Sequence, residues 1–169
     1  MSIFDKFAGA RHNVSNFTID TYENWFENDR LFFDASYQRD YVWTEKEQQE
    51  FFKSLLSGYP VGHISLVEMD FDENSTYSYE IVDGKQRLTT LKLFLSNEIP
   101  IIIDNEKHFY SDLTKQEQRH FTSHLLPAII LIDSKNEKEK LNFFYDLNFS
   151  GVPQSVEHKL KIEGLINKH

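Results

Sequence analysis

Tyr79-Glu80-Ile81-Val82-Asp83-Gly84-Lys85-Gln86-Arg87-Leu88 is the stretch on which the fold of this chain turns. A short apolar run leads into Asp-Gly, and Leu88, Leu91 and Leu95 then recur at helical spacing. The pattern predicts a strand, a tight turn and a helix in direct succession. Asp83 is expected to cap that helix, with Gln86 in the reciprocal capping position. Gly84 lacks a Cβ at the point where a ligand would approach the backbone. The first N–H groups of a helix have no intrahelical partner and favour an anion. Lys85 and Arg87 read as exposed cations in the same turn, and an arginine can hold phosphate in a two-pronged fork. The plainer reading is a strand–turn–helix corner that carries cations to solvent.

Other helix starts are legible on either side. Thr44-Glu45-Lys46-Glu47 has the form of a capping box, followed by Phe51/Phe52 and Leu55/Leu56 and stopped at Gly58 and Pro60. Thr114 to Glu117 and Ser134 to Glu137 repeat the form, and the latter leads into Leu141, Phe144, Tyr145 and Leu147. Asp20 to Glu23 opens a short helix through Trp25, and a last helix after Pro153 and Ser155 is expected to turn Val156, Leu160 and Leu165 inward. Short apolar runs predict strands at 31–33, 63–69, 78–82, 99–103, 107–110 and 127–132, with the acidic segment 70–76 as a loop tip. Strands and helices interleave without strict alternation, so the expected class is α+β with a mixed sheet.

The bulk properties narrow the function. The 169 residues are expected to form one domain, with 40% apolar and 15% aromatic residues enough to close a core. No run approaches the roughly 18 apolar residues of a membrane helix, and the N-terminus has no basic region followed by an apolar one. Cysteine is absent, which excludes disulfides and thiolate chemistry and agrees with a cytoplasmic setting. The net charge of −9 opposes non-specific binding to nucleic acid, whose affinity comes from phosphate neutralisation. The mixture of 27 acids and 18 bases does not favour an acidic DNA mimic either. His120 and His124 stand four apart, but no H-E-x-x-H pattern accompanies them, so no metal site is assigned.

Tyr37-Gln38-Arg39-Asp40-Tyr41-Val42-Trp43 is the second informative stretch, immediately before the capped helix at Thr44. Its aromatics offer stacking faces and Arg39 a phosphate fork. The alternative is that Tyr41 and Trp43 are core residues and Arg39 pairs with an acid. Gly58-Tyr59-Pro60 with Gly62, and Asn148 to Ser155, complete a series in fixed order: Y-Q-R-x-Y-x-W, G-Y-P-x-G, D-G-K-Q-R-L-T-T-L and N-F-S-G-V-P-Q-S. From about Asp20 to Glu157 this series resembles the N-terminal domain of GmrSD-type restriction endonucleases. Lys85 stands where the family's D-G-Q-Q-R motif commonly has glutamine, and Ala35 where a proline often precedes the Y-Q-R.

The resemblance implies a ParB/sulfiredoxin-like fold, a mixed sheet with surrounding helices, whose D-G-Q-Q-R motif serves nucleotide binding and hydrolysis in bacterial or phage DNA restriction. Carried onto this chain, the catalytic candidates are Asp83, Gln86 and Arg87. The nucleotide- or phosphate-binding candidates are Tyr37, Gln38, Arg39, Gly84, Lys85 and Thr89. The expected cofactor is a nucleoside triphosphate of unassigned base, with Mg²⁺ as its companion, at the level of a slow NTPase. Sulfiredoxin-like reduction is excluded, because it needs the cysteine this chain lacks. The nuclease domain of full-length members is not recognisable here, so DNA cleavage is not expected. The competing readings are a non-enzymatic interaction module for a host or defence protein, and a DNA-binding domain.

Overall fold

The structure, a computed structural model, describes residues 11–70, 72–132, 136–149 and 156–167. Its elements run β1 (His12–Thr18), α1 (Ile19–Glu27), β2 (Leu31–Phe32), α2 (Glu45–Leu56), β3 (Ile64–Glu68), β4 (Tyr79–Asp83) and α3 (Lys85–Leu95). Then follow β5 (Ile101–Ile103), β6 (Glu106–His108), α4 (Lys115–Thr122), β7 (Leu125–Leu131), α5 (Glu137–Phe149) and α6 (Val156–Ile166). Five strands form one sheet in the order β1-β7-β3-β4-β2. The β1/β7 and β3/β4 pairs are antiparallel, whereas β7/β3 and β4/β2 are parallel. The α+β class with a mixed sheet and surrounding helices is therefore the fold of this chain. β5 and β6 make a separate hairpin around Asp104 and Asn105, both at positive φ, the backbone of a tight two-residue turn.

Strand alternation divides the core. Ile64, Leu66, Ile81, Leu126, Ala128 and Ile130 face one side, where Tyr22, Phe52, Leu88, Leu91, Phe94 and Phe121 of the helices pack on them. Val67, Val82 and Leu131 face the other side and meet Tyr37, Leu141, Phe144 and Ile162. Side chains one residue apart in a strand point to opposite faces, so both faces of the central strands are covered and these strands read as continuous apolar runs.

Local chemistry explains three of the helix starts. The Thr44 N–H donates to Glu47 Oε2 at 2.7 Å, and the Thr114 hydroxyl and N–H donate to Glu117 Oε2 at 2.7 and 2.8 Å, which confirms both capping boxes and holds both glutamates below the usual carboxylate range. Two expectations need correction, and a third, the cap at Ser134, falls outside the described residues. β1 was not expected: His12 to Thr18 is a polar stretch, and only its pairing with the apolar β7 makes it a strand. Ser134 lies outside the described residues, and α5 is capped by Asn136, whose Oδ1 accepts the Glu139 N–H at 3.0 Å. Among the described side chains of α6, Ile162 is buried and Leu165 is partly buried against the second core, while Leu160 is exposed.

Candidate functional site

α3 starts at the carboxyl end of β4, between β3 and the edge strand β2, and its N-cap is Gly84 at φ +96°. No side chain caps this helix, so the expectation that Asp83 and Gln86 form a reciprocal cap is overturned. The cause is the left-handed turn at Gly84, after which both side chains bond elsewhere. Asp83 Oδ2 accepts from Arg87 Nη2 at 2.9 Å, and Arg87 Nη1 donates to the Val61 carbonyl at 2.7 Å. The Arg87 side chain is only 15% exposed. It is a fixed group folded back toward the start of its own helix, not the free surface cation the sequence suggests. A Cβ added at Gly84 would lie 3.5 Å from Arg87 Nη2, but 2.5 Å from Ile64 Cδ1. The glycine thus answers a crowded corner of the core, not the approach of a ligand alone.

Gln86 is buried and its amide is used on both ends. Oε1 accepts the N–H groups of Val42 at 2.9 Å and Trp43 at 3.3 Å, and Nε2 donates to the Asp40 carbonyl at 2.9 Å. A hydroxyl chain runs beside it: Gln48 Nε2 donates to Tyr41 Oη at 2.9 Å, Tyr41 Oη and Thr90 Oγ1 lie 2.9 Å apart, and Thr90 donates to the Gln86 carbonyl at 2.8 Å. These bonds fasten the 37–43 segment to α3. Trp43 packs on Phe51 as a core residue.

The remaining candidates divide by exposure. Gln38 Nε2 donates to the carbonyls of Ile81 and Val82, stitching its loop to the end of β4. Tyr37 is buried, with its hydroxyl bonded to Glu80 Oε1, and Lys140 of α5 reaches Glu80 Oε2 at 2.9 Å. Burial, then the charge of Glu80, push the Tyr37 phenol far above its ordinary value. Tyr37 is therefore a buried member of the second core. Burial alone would lower the Lys140 ammonium; its bond to Glu80 and the Glu80 charge outweigh this and raise it. Arg39 is exposed and makes no ion pair with a described residue, so it is available from the loop that Gln86 holds. Lys85 has a side chain 13% exposed, with Nζ 3.9 Å from Asp34 Oδ1. Thr89 is half-buried on the helix face of Lys85.

The two sequence motifs are therefore brought together. Gln38 and Gln86 are the connectors, and Arg39, Lys85 and Arg87 are the cations left around the start of α3. Val61 and Gly62, from the G-Y-P-x-G motif, contact Arg87, a contact between segments that only the fold reveals. The last motif lies largely outside the described residues, since 150–155 are not among them. Among the described residues no helix is long and apolar enough to cross a membrane, and no three His, Asp or Glu side chains cluster as metal ligands.

Among solved structures, the chain is similar to the C-terminally truncated chromosome-partitioning protein ParB from Caulobacter crescentus, complexed with CTP-gamma-S. The identity is 13% and the TM-score 0.42, over 92% of this chain and 64% of that one. The chain thus spans less than two thirds of the length of that protein. No protein of curated function matches. The family model described as the GmrSD restriction endonuclease, N-terminal domain, matches residues 22–163, a span that contains all four motifs. This chain belongs to the GmrSD restriction endonuclease N-terminal domain family.

Proposed function

We propose that this domain binds a nucleotide, or another phosphate-bearing ligand, at the start of α3, within a bacterial or phage system that restricts DNA or counters restriction. The observation that carries the reading is the convergence at one helix start: a left-handed Gly84 with no side-chain cap, and beside it the Arg87 guanidinium with donors to spare. Phosphate oxygens accept from the first N–H groups of the helix and from those donors. Lys85 and Arg39 add charge from two sides, and Thr89 offers a hydroxyl one turn on.

For slow hydrolysis of a triphosphate, Arg87 stabilises the charge that develops on the transferred phosphoryl group, and Asp83 orients the attacking water. Gln86 takes no direct part, because its amide already holds the Arg39 loop. Mg²⁺ fits this site only as a companion of the phosphates: among the described residues Asp83 is the one carboxylate paired with Arg87, and the ion supplies charge neutralisation when bound. Such a role places the domain in the cytoplasm of a bacterial cell or an infected host.

The second reading is an interaction module for a host or defence protein. It draws on Tyr59 and Leu125, 69% and 57% exposed, which line an apolar cleft of about 410 Å³. Thermal-shift measurement with ATP, GTP, CTP and UTP, each with and without Mg²⁺, decides between them, because a ligand of the native state raises its melting temperature. At least one triphosphate should stabilise the protein. No shift with any of them would leave the interaction module as the better reading.

A further inference from the structure

The G-Y-P-x-G motif has no part in the phosphate site as described so far, yet its last residue touches the central cation. Arg87 Nη1 donates to the Val61 carbonyl at 2.7 Å. A Cβ built on Gly62 would fall 2.8 Å from the same nitrogen, 3.6 Å from Cζ and 3.9 Å from Nη2. Nothing but the guanidinium comes within 4 Å of that position among the three nearest atoms. Real Cβ contacts do not reach 2.8 Å, so a side chain at 62 must displace the guanidinium.

We infer that Val61 and Gly62 form a wall of the phosphate site and that Gly62 is a positioning residue for Arg87. The inference rests on the phosphate reading above. The loop fixes one prong of the fork through the Val61 carbonyl, Asp83 fixes the other, and the bare Gly62 Cα leaves room for the plane between them. With both prongs held, the remaining N–H donors point in a set direction, and a rigid fork loses little entropy when it meets a planar anion. Substitution at 62 keeps the charge but turns the donors away. Gly58 is the built-in control. It lies in the same loop at φ +71°, against +81° at Gly62, but a Cβ there meets nothing within 4 Å. Both glycines pay the same left-handed backbone penalty when replaced by alanine; only one faces Arg87.

The test uses the full chain as Gly62→Ala, Gly58→Ala, Arg87→Ala and the two double variants that combine each alanine with Arg87→Ala. Two quantities are measured: the thermal melt, and affinity for inorganic triphosphate and for ATP, GTP, CTP and UTP with Mg²⁺. Gly62→Ala should weaken binding about tenfold through loss of a charge-assisted contact, and Gly58→Ala hardly at all. In the melts without ligand, the loss caused by Gly62→Ala should shrink to that of Gly58→Ala once Arg87 is gone. Equal behaviour of the two glycines in both backgrounds overturns the inference. Wild-type protein that binds none of the probes overturns the phosphate reading instead, and the melts then still decide whether Gly62 holds Arg87.

Discussion

Gln86 Oε1 accepts the backbone N–H of Val42 at 2.9 Å, so a residue of the sequence's strongest motif is spent on holding a distant loop. Gln86→Ala removes the partner of three backbone groups at 40, 42 and 43 and leaves a gap in a buried corner. The expected cost is about 2–4 kcal/mol, read from urea unfolding, with faster proteolysis between Asp34 and Thr44. Gln86→Glu keeps the two acceptor bonds, loses the donor to Asp40, and should fall between alanine and wild type. A Gln86→Ala variant as stable as wild type would return this side chain to the list of free catalytic candidates.

Arg87→Ala should abolish triphosphate binding and also cost stability. The sequence suggests a harmless surface change, but the side chain is 15% exposed and bonded to Val61 and Asp83. Losing these bonds should cost about 1–3 kcal/mol. Arg87→Lys keeps the charge without the fork and should recover little binding. Calorimetry beside a circular-dichroism melt measures both effects.

Gly84→Val and Lys85→Gln should separate widely. Valine at φ +96° is strained, and its Cβ would collide with Ile64 Cδ1 at 2.5 Å and press on Ile64 Cα at 3.4 Å. A loss of about 3 kcal/mol or more is expected. Lys85→Gln gives up only a long 3.9 Å contact with Asp34 and should stay within about 0.5 kcal/mol of wild type, with a severalfold loss of triphosphate affinity. Comparable melts for the two variants would refute the crowded-corner account of Gly84.

Alkaline pH should loosen the second core. The Tyr37 phenol is raised above its ordinary 10.0 by burial and by Glu80, and the Lys140 ammonium is raised above 10.5 once its bond to Glu80 outweighs burial. A folded-state value above the unfolded one gives stability that is complete below the unfolded value and lost as pH rises past it. The melting temperature should therefore be flat on these groups' account up to about pH 9 and fall above about pH 10. Tyr37→Phe should lower stability by about 1–2 kcal/mol at neutral pH and make the alkaline fall shallower. Tyr22 and Tyr110 are also raised by burial, so part of the slope should remain. An unchanged slope in Tyr37→Phe would show that Tyr37 titrates alike in both states.

The sequence by itself determined what depends on neighbours along the chain. Thr44 and Glu47, and Thr114 and Glu117, each carry a helix start within a few residues, because a cap is a bond between groups three or four positions apart, and Asp83-Gly84 marks a third start through the left-handed turn that glycine permits. The motif order likewise carried the family. The tertiary structure decided whatever depended on a partner far along the chain. His12 to Thr18 became a strand only against Leu125 to Leu131, since a polar edge strand has no apolar pattern of its own. Ile162, not Leu160, faces the core, because α6 packs against α5 and the sheet from a direction its own spacing does not reveal. The same holds at the site. The acceptors of Arg87 include the carbonyl of Val61, the partners of Gln86 lie at 40–43, and the Tyr37 hydroxyl bonds to Glu80. A side chain's chemistry is written in its residue type, but whether it is free to meet a ligand depends on which distant polar groups burial obliges it to satisfy.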